Sequence, residues 1–444
     1  RSLYCGGPLL VEAPGLSPRL PPPPKSGPSM IIITRHKLLI FNFQNERRPN
    51  TEESTSTLVQ FIDNLVHNTG ILSYSRSHKV HWTANFATLC FLTAYVLQII
   101  ALFSANGDPV RLFECFSVLS FCGMGVFKLN SLRMSNANWR FLLSQISTLE
   151  NQQLNEEHVY KCNDKSFDFS DSINGYTNKF KDTSIILTRM YSFTAVVFIL
   201  SPFVEYLWKI YNMQATGYPH ILPTWNPLDG ISIFGYAVTI TCELIAAVYC
   251  VCVHVAFDLA SIGLMIFVCG QFALLRNCTE HIGRHGEVRC LSKDMDEVAH
   301  HRIIFCHQTH LLLVTSIREL DKLLKNILGV YFFVATLTVC TVAVRLSSEK
   351  MSLMQLMSLL QYLCATLTQL FLFCRYGDTV MNESSFGMGQ GPFAASIWSL
   401  SPRIRRELVI LSVGMMKTRR LHAGPFNSLD LPSFILVNIN IKKG

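Results

Sequence analysis

His300, His301, Cys306, His307 and His310 crowd into one short stretch, the densest set of metal-ligating side chains in the chain. His281 and His285 stand four apart, as two ligands on a helix would, but Gly283 between them weakens that helix. No Cys-x-x-Cys pair stands nearby to complete a structural zinc site. The cluster therefore reads as helix residues at a subunit or loop contact, and no metal or cofactor is implied. Asp258 and Glu243 are different, because both fall on a long apolar stretch. An acid inside a membrane segment marks a functional site by default, although Asp258 falls near the end of that stretch. Glu205 reads as an interfacial acid.

Neither a Gly-rich phosphate loop nor a Gly-x-Ser-x-Gly elbow is present, so the chain does not read as an enzyme. Aromatic residues at one end of the apolar runs are more informative. Phe113, Phe116, Phe198, Phe203, Phe234, Tyr236 and Tyr362 are candidates to line an apolar pocket with a few polar handles, the usual form of a small-molecule site. Helix packing and an interfacial aromatic belt explain the same pattern equally well.

These residues need elements to hold them, and composition says which. Of 444 residues, 49% are hydrophobic and only 15% charged, against roughly 25% charged in soluble domains. Too few charges are present to coat a globule, so much of the surface must face lipid. The net charge of +8 is dispersed between apolar runs, which argues against nucleic acid as a partner. Runs of roughly 20 apolar residues span the hydrocarbon core. Ala84–Ser104, Ile185–Leu207, Ile231–Phe257 and Leu353–Cys374 qualify, Ile327–Val344 is slightly short but uncharged, and Val110–Phe127 is the weakest of six. Most of the 15 Cys lie inside such runs, as small hydrophobes, and no structural disulfide is expected.

Lys and Arg set the orientation. Leaving out residues 1–29 and 438–444, six precede the first span, seven lie between the second and third, eight between the fourth and fifth, and seven follow the sixth. The alternate connections hold one, one and two. The N-terminus is thereby predicted to be cytoplasmic, opposite to a G-protein-coupled receptor, whose Asp-Arg-Tyr and Asn-Pro-x-x-Tyr motifs are also absent. The sequons at Asn277 and Asn382 then face the cytoplasm, where no glycosylation is expected. Helical patterning continues past the fourth span through Ser261–Leu275 and resumes in the amphipathic stretch Val298–Leu328, predicting a cytoplasmic helical bundle. After the sixth span only Leu408–Met416 and Pro425–Val437 remain apolar, so a seventh span must be discontinuous if it exists.

Several local motifs now line up. Leu222-Pro223-Thr224-Trp225-Asn226-Pro227-Leu228-Asp229 precedes the fourth span, His300-His301-Arg302-Ile303 the fifth, and Cys374-Arg375-Tyr376-Gly377-Asp378 closes the sixth. Ile397-Trp398 and the run from Ala423-Gly424-Pro425 to Leu431-Pro432-Ser433-Phe434 follow. In their order over residues 31 to 437, with a cytoplasmic N-terminus, the chain resembles the insect odorant receptors.

That resemblance implies an all-α membrane protein with seven transmembrane helices of inverted topology, the last one broken. It implies an odorant-binding subunit of a ligand-gated, non-selective cation channel that forms a heterotetramer with a shared co-receptor, in the dendritic plasma membrane of olfactory sensory neurons. Small volatile organic molecules would be the ligands. Subunit contacts would come from the anchor around residues 261–328 and from the first half of the seventh helix, which nominates His300, His301, Ile303, Leu408 and Leu411. Phe434 and Val437 would line the pore. Residues 30–83 form the cytoplasmic N-terminal segment, 84–377 hold six spans and the anchor, and 378–437 hold the loop and broken helix. Residues 1–29, rich in Pro and preceding Met30, read as a disordered leader or gene-model artefact. The tail 438–444, ending in two lysines and Gly444, departs from the family pattern and reads as a truncation of the seventh helix, and the Gly-rich insert 387–391 is also atypical. Two rival readings are a gustatory-type channel independent of the co-receptor and a non-conducting receptor with a metabotropic partner. A transporter is a third, for which neither inverted repeats nor charged midplane sites are evident.

Overall fold

The computed structural model describes Leu58, Ile62 and residues 78–435, except for 105–108, 162–168, 214–216, 227–232, 284–292, 349–352, 395–399 and 426. Among the described residues from His78 on, nine helices follow in order: α1 (His78–Ser104), α2 (Pro109–Met134), α3 (Asn136–Lys161), α4 (Phe169–Tyr211), α5 (Ile233–Glu280), α6 (Lys293–Ser348), α7 (Leu353–Ser385), the single turn α8 (Gly391–Ala394) and α9 (Pro402–Met415). A two-residue hairpin, β1 (His422–Ala423) with β2 (Asn427–Ser428), comes next, and the chain is helical again over 431–435. Among the described residues five helices are long and apolar enough to cross a membrane, and they include α2, the weakest of the six apolar runs in sequence. Leu353–Cys374, the sixth run, forms the first part of α7.

Length explains the architecture. At about 1.5 Å per residue, the 56 residues of α6 reach roughly 84 Å, far beyond a hydrocarbon core about 30 Å thick. The amphipathic stretch Val298–Leu328 is therefore not a separate helix but the continuous extension of the fifth apolar run. Helix α5 likewise runs unbroken past Ser261–Leu275 to Glu280. It is the hub of the fold, packing against α1, α2, α4, α6 and α7, and from Val253 to Cys269 nearly every side chain is buried. By contrast α1 turns Trp82, Phe86, Leu89 and Val96 outward, as a lipid-facing helix does.

The α5 and α6 extensions pack with α3, an element absent from the sequence expectations. Its polar composition hides a buried stripe of Leu142, Ile146 and Leu149, continued by Glu150 and Gln153. Glu150 accepts from the Tyr176 hydroxyl, and Gln153 exchanges hydrogen bonds of 2.6 and 3.0 Å with Gln271. Buried polar groups that satisfy each other in this way fix the register of three helices.

The C-terminal motifs have a packing explanation. Gly424 takes φ +74°, and its N–H donates to the Lys325 carbonyl of α6 at 2.7 Å. His422 N donates to Asp321 at 2.7 Å beside it. Asp430 caps the helical turn that follows, accepting from Ser433 N at 2.9 Å and Ser433 Oγ at 2.7 Å. A Cβ on Gly377 of α7 would lie 2.3 Å from the Leu429 carbonyl oxygen, so only glycine lets the hairpin approach α7.

Gly377→Ala is expected to displace this hairpin and cost on the order of 1–3 kcal/mol. Gly175→Ala in α4, where the added carbon meets nothing within 4 Å, is expected to be neutral or stabilising by up to about 1 kcal/mol. Thermal melting of the two detergent-solubilised variants checks the contrast, and equal shifts would contradict it.

Candidate functional site

A cavity of about 440 Å³ opens between α2, α4, α5, α6 and α7, within the ~300–1,000 Å³ usual for small-molecule sites. Its walls are mostly apolar side chains such as Phe121, Phe198, Ile199, Val251 and Val334. Pro202 breaks the hydrogen-bond ladder of α4 beside it.

One end of the cavity is a polar floor. Lys128 Nζ of α2 lies 2.6 Å from Asp258 Oδ1 of α5, and both side chains are out of reach of solvent. The Tyr191 hydroxyl of α4 donates to Asp258 Oδ2, and Gln369 Nε2 of α7 donates to the same oxygen at 2.7 Å. The Tyr331 hydroxyl of α6 sits 3.0 Å from Gln369 Oε1 and 3.1 Å from the Thr366 carbonyl, between which its one hydrogen is shared. Lys128 also donates to His254 Nδ1 at 3.0 Å, so the imidazole proton sits on Nε2, 3.2 Å from the Phe121 carbonyl that accepts it. Five helices thus meet on one ion pair. Tyr191, His254, Tyr331, Thr366 and Gln369 all line the cavity, while the charges lie behind them.

The opposite end is lined by the segment between α4 and α5, with Glu114, Glu205 and Arg345 beside it. His220, Ile221, Leu222 and Pro223 line the cavity there. Glu243 of α5, buried at 3% exposure, holds the segment: its Oε2 accepts from the N–H groups of Ile221 (3.0 Å) and Leu222 (3.3 Å), and its Oε1 from Thr224 Oγ1 (2.6 Å) and Asn226 Nδ2 (3.2 Å). The two acids singled out in the sequence therefore occupy the two ends of one cavity.

Of the seven aromatic candidates, Phe198 and Tyr362 line the cavity. Phe113 and Phe116 are half-buried and stand outside the lining, as does Phe203, which packs against the core. Phe234 is 79% exposed, and Tyr236 donates to the Pro219 carbonyl at 2.8 Å, bracing the outer segment from behind. Glu205 lines the cavity and pairs with Lys209 at 2.9 Å. Phe434 packs edge-on against Phe371, and Val437 lies outside the described residues. In the histidine cluster, His300 Nδ1 is 2.6 Å from Glu407 of α9 and His301 is exposed. Ile303, Leu408 and Leu411 are buried within the chain's own bundle. His285 lies outside the described residues, and among those described no group of three or more His, Cys, Asp or Glu is arranged around a metal. The composition reading missed Lys128, Tyr191, Tyr331 and Gln369. Lys128 had been counted among the basic residues of a loop, although its place on the helical run of α2 was a usable signal.

The described residues thus form a bundle of membrane-length helices with an internal cavity of small-molecule size. The chain belongs to the 7tm Odorant receptor family, whose model matches residues 108–439. It is 23% identical over 257 residues to Odorant receptor 22c of Drosophila melanogaster, a match covering 56% of this chain and 62% of that receptor. Among solved structures, the insect olfactory receptor OR5 from Machilis hrabei shares the fold with a TM-score of 0.66 at 14% identity, both alone and in complex with eugenol. Those matches cover 87% of this chain and 95–96% of that receptor. The chain is accordingly a multi-pass membrane protein with the seven-helix, all-α fold of that family.

Removing Lys128 alone leaves Asp258 as a buried charge without its counterion, at a cost of roughly 3–5 kcal/mol, whereas replacing both partners by apolar groups is far milder. Lys128→Met is expected to lower the melting temperature sharply, and Lys128→Met with Asp258→Leu to recover much of the loss. A double variant no more stable than the single one would show that the pair does not act as a unit.

Proposed function

We propose that this chain is the odorant-binding subunit of a heteromeric, ligand-gated, non-selective cation channel, completed by a shared co-receptor in the plasma membrane of olfactory neurons. The observation that carries the reading is the cavity, apolar along its walls, polar at its floor and lined by five helices. Membership of the odorant receptor family and a shared fold with a receptor solved in complex with eugenol support it. The biased distribution of Lys and Arg supports a cytoplasmic N-terminus, which puts the Glu243 end of the cavity outside.

Binding follows from burial. A volatile apolar molecule entering the cavity gains roughly 25 cal/mol per Å² of apolar surface removed from water. It opens the channel only to the extent that it binds the open arrangement better than the closed one. The helices that touch the ligand also hold the Lys128–Asp258 floor, so a ligand that shifts Tyr191 or Gln369 acts on all of them. The hairpin and the turn at 431–435 dock on α6 and α7, two of those helices, and Phe434 is the described candidate for the pore lining.

Cells expressing this chain with the co-receptor are expected to give a fast inward current to a volatile panel with G-protein signalling blocked. Co-receptor alone should give none of the added responses. Persistence of the current counts against a metabotropic partner, and its dependence on the co-receptor counts against a gustatory-type channel. Phe198→Ala is expected to shift potency about tenfold for ligands that fill the cavity, while Phe234→Ala, on an exposed side chain, leaves it unchanged. Equal effects from the two would place the ligand elsewhere.

Subunit contact is assigned to the exposed apolar face of α9 rather than to its buried face. Leu408 and Leu411 point into the bundle, whereas Ile410 is 72% and Val413 64% exposed. Ile410→Asp with Val413→Asp is expected to abolish co-purification with the co-receptor while leaving the melting behaviour of the isolated chain unchanged. Undiminished co-purification would move the contact off this face.

A further inference from the structure

Glu243 has no role in the reading above beyond its position, yet its environment is unusual for an acid on an apolar helix. It is 3% exposed, and neither of its oxygens is paired with a lysine or arginine among the described residues. Its donors all come from one short segment, and the two oxygens divide them. Oε2 takes the backbone N–H groups of residues 221 and 222, and Oε1 takes the side chains of Thr224 and Asn226, with His220 Nδ1 3.3 Å away. Backbone amides in irregular structure must find acceptors when buried, and here a single carboxylate supplies them. Two further ties hold the segment's ends, Trp225 N to the Leu97 carbonyl of α1 at 3.3 Å and the Tyr236 hydroxyl to the Pro219 carbonyl at 2.8 Å. The face of the segment turned away from these ties is cavity wall, with Ile221 5% and Leu222 3% exposed.

We infer that Glu243 is a specificity-determining positioning residue, which fixes residues 220–226 as the outer wall of the cavity and thereby sets the largest ligand the cavity admits. The inference rests on the reading of this cavity as the ligand site. Glu243 does not touch the ligand; it acts through Ile221 and Leu222. With the carboxylate in place the wall has one position, because moving it strips several hydrogen bonds from a buried charge at once. Hydrogen bonds to charged groups are among the stronger ones in proteins, so a wall held this way yields little to an oversized ligand. Glutamine removes the charge and, with its oxygen kept on the two backbone N–H groups, turns an NH₂ group toward Asn226 Nδ2, a donor that the carboxylate served, so the attachment weakens.

The test reads wall position and ligand size separately. In a Leu222→Cys background, a membrane-impermeant methanethiosulfonate reagent applied from outside should label position 222 slowly, after subtraction of the signal from the parent chain. Glu243→Gln is expected to raise that rate roughly tenfold or more, and Thr224→Val, which removes one donor and leaves the acid intact, to raise it less. In the Leu222 parent, a series of 2-alkanones of increasing length should show a cut-off in evoked current, and Glu243→Gln should admit longer members at unchanged surface expression. Labelling at the parental rate in both variants would overturn the inference, and so would faster labelling with an unmoved cut-off. A parent silent to every ketone and to the wider volatile panel would count against the ligand-channel reading itself, and the labelling ratio alone would then decide whether Glu243 holds the wall.

Discussion

A lysine and an aspartate that water does not reach are the constraint around which the rest of this protein is arranged. Desolvating the pair costs several kcal/mol per ion, and the interior repays it only when every remaining lone pair and proton finds a partner. Lys128 and Asp258 alone cannot meet that demand. Tyr191, Gln369 and His254 supply further partners, and Tyr331 supplies one to Gln369 in turn. Each partner arrives on a different helix or a different turn, so satisfying one ion pair fixes α2, α4, α5, α6 and α7 against each other. The cavity is lined by those same five helices.

The arrangement also separates two jobs that a ligand site must do. Apolar walls supply binding energy in proportion to area and with little regard for identity. Shape is set by the two polar ends, each built around a buried acid on α5, Asp258 at one and Glu243 at the other. Neither acid is offered to the ligand, since both are already saturated by protein donors. A site of this kind is suited to small apolar molecules, whose own weak polarity could not repay the disruption of either network. Long continuous helices then give the floor its reach, because α5 and α6 carry the same rigid rod from the cavity into the bundle with α3 and α9.

What the sequence disclosed follows from the same physics. The apolar runs were legible because the hydrocarbon core demands about 20 residues each, and the extension past Ser261 because its pattern never breaks. The C-terminal motif was legible as a resemblance, and its Gly424 and Asp430, with Gly377 of the preceding motif, have local reasons in the tight approach to α6 and α7. The choice among aromatics was not legible. A helix in lipid is apolar on its lipid face as well as its packed face, so Phe198 and Phe234 look alike until the fold turns one toward the cavity and the other outward. Helix α3 was missed because its buried stripe is narrow and partly polar. Lys128 was counted with loop residues because a basic side chain at a span end ordinarily snorkels to the interface. Only the position of Asp258 on another helix, 130 residues away, reverses that expectation.

The most direct measurement is an electron cryo-microscopy map of this chain assembled with the proposed co-receptor and an activating volatile. The account predicts ligand density between Phe198 and Tyr362, bounded by Tyr191 and Gln369 at one end and by Ile221 and Leu222 at the other, with Lys128 and Asp258 still in contact. Density elsewhere in the subunit, or an occupied cavity with the Lys128–Asp258 contact absent, would contradict it.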